Sequence, residues 1–109
     1  MASTYKILGQ SKPAAATDTD LYTNPAGGQA IISSIAITNT SAATDTFRIY
    51  IRQDGAAAGE LNALMYDSPL QSNSTTTMTM GATIDAADVI TVYSTNGNIT
   101  FHAFGLEIV

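Results

Sequence analysis

Apolar residues in this chain alternate with small or polar ones in short runs, and each run is closed by turn residues. In residues 29–39 (QAIISSIAITN), Ile31, Ser33, Ile35 and Ile37 fall on one face and Ile32, Ser34, Ala36 and Thr38 on the other. A period of two is the repeat of a pleated strand, and the β-branched residues that dominate the run disfavour a helix. Residues 46–53 alternate in the same way, with Phe47, Ile49 and Ile51 expected inward and Arg48, Tyr50 and Arg52 outward. Further strands are expected at residues 5–10, 20–23, 64–70, 75–80, 89–94 and 98–109. Pro69 marks residues 64–70 as an edge strand, because proline cannot donate to a ladder. Met78 and Met80 share one face of residues 75–80, and Gly81 is expected to end that run. Asn24-Pro25-Ala26-Gly27-Gly28 and Asp54-Gly55 are turn signals, and Asn96-Gly97 reads as a hairpin turn into the last strand, where Gly105 suggests a bulge or kink. Residues 56–61 fit either one helical turn or a loop, with Gly59 favouring the loop. The pattern predicts an all-β chain, an antiparallel β-sandwich or jelly roll of about seven to eight short strands.

A chain of 109 residues is long enough for one such core. Residues 1–19 hold one short apolar strand and then a Pro/Ala/Thr-rich connector, so they read as an N-terminal strand and extended arm, with 20–109 as the β-sandwich domain. An arm of this kind is expected to rest on a neighbouring subunit or particle surface, with Ile7 and Leu8 as its apolar anchors; the competing reading makes residues 5–10 an edge strand of the domain's own sheet.

The surface chemistry is unusual. Charged residues make up 12% of the chain, about half the common share, while Ser and Thr supply the polarity. Low charge lowers the desolvation penalty of covering a surface with protein neighbours. The net charge is −5 and the only cations are Lys6, Lys12, Arg48 and Arg52, too few and too scattered for a nucleic-acid or anionic-membrane surface. No secretory leader is apparent at the start, and no apolar run has the length of a membrane span. The chain is therefore expected to be made in a cytoplasm.

Nothing in the sequence assembles a reactive site. The absence of cysteine rules out disulfides, thiolate metal sites and thiol catalysis. His102, the sole histidine, has no visible partner to orient it as a base and too few companions for a metal, so it reads as a surface or interface ring. The serines lack a nucleophile-elbow motif. Glu60 and Glu107 show no sign of acting as a glycosidase pair, and the Asp18/Asp20 and Asp85/Asp88 clusters fall short of a calcium shell. No phosphate-binding loop, cofactor or catalytic residue is expected, and the chain reads as a non-enzyme. Outward tyrosines can anchor an interface or stack on sugars. Tyr50, flanked by Arg48 and Arg52 on one face, is the leading interface candidate among them.

Several segments together resemble small structural proteins of tailed phages. They are Leu21-Tyr-Thr-Asn-Pro-Ala-Gly-Gly leading into a strand that ends at Asn39, Phe47-Arg-Ile-Tyr-Ile-Arg, Thr83-Ile-Asp-Ala-Ala-Asp-Val-Ile-Thr-Val-Tyr-Ser, and Ile99-Thr-Phe-His-Ala-Phe-Gly-Leu-Glu-Ile. The resemblance implies a virion component without catalytic residues: first a capsid decoration (cement) protein bound to the major capsid protein or another virion protein, second a tail, baseplate or fibre domain contacting the host. It also implies a homo-oligomer, with a trimer as first choice. A carbohydrate-binding module is the remaining alternative.

Overall fold

A computed structural model of the chain describes residues 3–108. Eight strands follow one another as β1 (Ser3–Ser11), β2 (Thr19–Thr23), β3 (Gln29–Asn39), β4 (Asp45–Arg52), β5 (Ala63–Leu70), β6 (Thr75–Ile84), β7 (Val89–Ser94) and β8 (Ile99–Ile108). Two short 3-10 turns, Gln53–Gly55 and Glu60–Asn62, fill the ambiguous stretch between β4 and β5. The strands form two four-stranded sheets in the orders β1-β8-β3-β6 and β2-β7-β4-β5, and every pairing between them is antiparallel. Consecutive strands pass from one sheet to the other at every step except β4 to β5, which is the interleaved connectivity of a jelly roll.

The inner faces meet in one apolar core. Ile32, Ile35, Ile37, Ile49, Ile90, Val92, Ile99 and Ala103 are completely buried, and Phe47 and Phe101 touch edge to face at 6.1 Å. Of the residues that alternation places inward, Ile35, Ile37, Phe47 and Ile49 are buried, and Ile51 packs against the cluster while partly exposed. Leu8, Met65, Met78 and Met80 close its margins.

Four expectations need correction. Asn96-Gly97 does not close a hairpin, because β7 and β8 lie in opposite sheets. Only Gly97 of the two has positive φ, at 75°. The Asp45 carboxylate instead gathers the turn, accepting the backbone N–H of Asn96 at 3.1 Å and of Asn98 at 3.3 Å. The face assignment in β3 holds only beyond its middle. An irregularity between Ile32 and Ser34 turns Ile32 inward with Ile35 and Ile37, and leaves Ile31 on the outside. Gly81 does not end β6; the strand continues to Ile84 past a register shift. Finally, residues 3–19 are built into the sandwich. β1 pairs with β8 along its length, Pro13 is buried, and Ala16 N–H donates to the Ser94 carbonyl at 2.9 Å. Met1, Ala2 and Val109, which the expected arm and last strand include, lie outside the described residues.

Candidate functional site

The three candidates on β4 lie on the outer face of its sheet, and each is engaged within the chain. Arg48 stands between Tyr93 of β7 and Tyr66 of β5, its guanidinium carbon 4.2 Å from each ring centre. Its Nε also donates to Asp67 at 2.7 Å. The result is a clamp across three strands, made of cation–π stacking and a charge-assisted bond. Arg52 donates to Asp20 at 3.0 Å, to Thr91 at 3.1 Å, and to the carbonyls of Ala56 and Gly55 at 2.7 and 3.1 Å. It thereby ties β2 and the 3-10 turn to β4. Tyr50 is only 3% exposed, so its ring is covered by its own domain and presents little to a partner. Tyr66, which the alternation did not single out over Tyr50, is the exposed ring of this face at 46%.

The outer face of the β1-β8-β3-β6 sheet has a different character. Ile99, Phe101 and Ala103 of β8 point inward, so Thr100, His102, Phe104 and Leu106 point out. Beside them stand Tyr5 and Ile7 of β1, in register with Leu106 and Phe104. Across the sheet follow Ile31, Ser34, Ala36 and Thr38 of β3, then Thr75, Thr77 and Thr79 of β6. Among the described residues, no strand position projecting from this face is charged. Tyr5, Ile7 and Phe104 are 85%, 53% and 36% exposed and form an apolar strip along one side. Of the two proposed anchors, Ile7 belongs to this strip, whereas Leu8 turns inward onto its own core. His102 also faces out, where its Nδ1 lies 3.1 Å from Gln10 Nε2.

The charges of this sheet lie on its other side. Glu107 accepts from Tyr22 Oη of the opposite sheet at 2.5 Å and from Lys6 Nζ at 2.9 Å. These two donors hold the Glu107 carboxyl below its usual range, against the opposing effect of burial. Burial, reinforced by the Glu107 hydrogen bond, pushes the Tyr22 hydroxyl upward. The cluster fastens the two sheets together at their β1–β2 side.

One cavity of about 540 Å³ opens where β4 and β6 end, lined by Ile51, Ala56, Leu61, Ile84 and the polar Gln53, Asn62, Thr83 and Asp88. Its polar groups are partly occupied. Asp88 accepts the N–H groups of Asp54 and Asp85 at 2.9 Å, and Asn62 bridges Gly59 and Ala57. Among the described residues no three His, Asp or Glu side chains converge as a metal site, and no helix is long and apolar enough to cross a membrane.

No family model matches the chain, and no curated protein matches it. Among solved structures it is similar to a chain in the structure of infectious bursal disease virus Gx strain, with a TM-score of 0.45 and 12% identity. The likeness covers 97% of this chain and 30% of that one, so this chain spans under a third of the viral chain's length.

Proposed function

We propose that this protein is a non-enzymatic structural component of a tailed-phage particle, most specifically a capsid decoration protein that binds the major capsid protein or another virion protein. The observation that carries the reading is the uncharged outer face of the β1-β8-β3-β6 sheet, with Tyr5, Ile7 and Phe104 exposed along its side. Interface centres are depleted in charge and enriched in aromatic residues, and a face of this composition loses little on desolvation. The jelly-roll connectivity is compatible with the reading, since this architecture serves capsids as well as lectins. The resemblance of the turn and strand segments to phage structural proteins supports it further. The engagement of Arg48, Arg52, Glu107 and Asp88 in bonds within the fold accords with a role in assembly rather than chemistry.

Binding of the purified chain to particles that lack it tests the proposal. Phe104→Asp and Ile7→Asp each place a charge on the face and should abolish binding while the chain still melts cooperatively. Wild-type binding by both folded variants would show that this face does not make the contact. A carbohydrate-binding role has one observation of its own, the exposed Tyr66 ring backed by Arg48. Glycan-array binding abolished by Tyr66→Ala would favour it, and would equally suit a tail or fibre domain contacting the host.

A further inference from the structure

The two sheets have four edge strands, and three of them are blunted against pairing with another chain. β1 carries Lys6 and a register shift beside Leu8. β2 is five residues long and is itself shifted between Asp20 and Tyr22. β5 contains Pro69 and Asp67, the latter at φ 49°, and loses register with β4 twice. Charges, proline, bulges and shortness are the usual devices that keep a sheet edge from recruiting a further strand.

β6 lacks most of these devices. Its ten residues, TTTMTMGATI, contain no charge and no proline. The register shift against β3 falls between Thr79 and Ala82, so Thr75 to Thr79 stay in unbroken register with Thr38 to Ser34. This stretch is largely exposed, with Met78 partly buried against the core margin. The segment is also self-complementary. In an antiparallel pair with its own copy centred on Thr77, Thr75 faces Thr79, Thr77 faces Thr77, and Thr76 faces Met78. Threonine pairs stabilise adjacent strands, and methionine adapts to an irregular neighbour.

We infer that the free edge of β6 pairs with β6 of a second copy, antiparallel about a two-fold axis at Thr77, joining two four-stranded sheets into one of eight strands. The self-complementary order of residues 75–79 favours a second copy over an unlike partner. Two chains of net charge −5 repel each other in general, and this edge lets them meet with no charged pair opposed. A charged partner would find nothing on β6 to complement it. The contact is isologous and closes at a dimer, in place of the three-fold assembly that the phage resemblance implies. It does not rest on the particle reading, because β6 pairing leaves the Tyr5, Ile7 and Phe104 strip open on the far side of the sheet.

Sedimentation equilibrium should give wild-type protein twice the 11.3 kDa chain mass. Thr77→Lys opposes two ammonium groups at the axis and should return the chain to monomer with an unchanged circular dichroism spectrum. Thr77→Cys introduces the sole cysteine of the chain and should yield a disulfide-linked dimer on mild oxidation, whereas Thr17→Cys on the exposed connector should not. The Cys pair keeps the inference testable if the lysine variant misfolds. A wild-type monomer at high concentration, a trimer, a dimer indifferent to Thr77→Lys, or equal crosslinking of the two Cys variants would overturn it.

Discussion

Asp45 is 1% exposed and faces four hydrogen-bond donors rather than a cation. Burial alone would raise its carboxyl, but bonds from Ser94 Oγ and the N–H groups of Thr46, Asn98 and Asn96 outweigh burial and hold it below the usual range. A depressed folded value means that this stabilisation is complete above the unfolded value of about 3.9 and is lost as pH falls through the folded value. Glu107 is depressed in the same direction and adds to the same acid limb. Asp45→Asn should cost about 1–3 kcal/mol at neutral pH, by leaving donors unmatched at the β7–β8 turn. It should also flatten the acid dependence. Urea denaturation at neutral and acid pH checks both, and an acid limb identical to wild type would locate it elsewhere. Two asparagines have similar duties. Asn39 donates to the carbonyls of Ala43 and Leu70 and accepts from Ser41, while Asn24 donates to the Gly28 carbonyl. The turn and the Asn39 terminus noticed in the sequence are thus fasteners of loops. Arg48→Lys keeps the charge but loses the planar stack between Tyr66 and Tyr93, and should cost about 1 kcal/mol in thermal unfolding.

Among the elements, alternation marks β3, β4 and β8, while turn residues on either side delimit the others, including β7, buried at nearly every position, and β1, which has no fully buried one. Periodicity does not encode which sheet receives the next strand, and that is why Asn96-Gly97 read as a hairpin. The deciding group, Asp45, lies 51 residues from Asn96 in sequence. The faces of β3 depart from simple alternation for a related reason. The irregularity at Ser33 stands opposite Gly105 of β8, and its signal is a glycine on another strand rather than anything within residues 29–39. A Cβ on Gly105 would lie 2.0 Å from the Ile31 carbonyl oxygen, and one on Gly9 would lie 2.1 Å from that of Leu21. Gly105→Ala and Gly9→Ala should therefore each force backbone apart and cost about 1–3 kcal/mol in chemical denaturation. Wild-type stability in both would mean that the strands approach less closely. Of the candidate site, the outward direction of Arg48, Tyr50 and Arg52 was legible, but not their engagement, which depends on Asp67, Tyr66, Tyr93 and Asp20 from other strands. The uncharged face was legible only as low overall charge, since its residues come from four strands spread over the chain.

For the whole molecule the net charge is −5, yet among the described residues neither the outward strand positions of the β1-β8-β3-β6 sheet nor the β6 edge carries a charge. Self-association through β6 should consequently strengthen as salt screens the general repulsion, the reverse of a contact built on ion pairs. Sedimentation across an ionic-strength series reads this directly, and dissociation on adding salt would point to a charged interface. Attachment to a particle through the β1-β8-β3-β6 face is the central functional expectation for this chain. Electron cryomicroscopy of particles whose genome encodes this chain, compared with particles lacking it, measures that attachment. Particles carrying the chain should show an additional density on the head surface that fits the sandwich with Tyr5, Ile7 and Phe104 turned toward the shell. Identical head densities in the two preparations, or the chain found only free of particles, would contradict it.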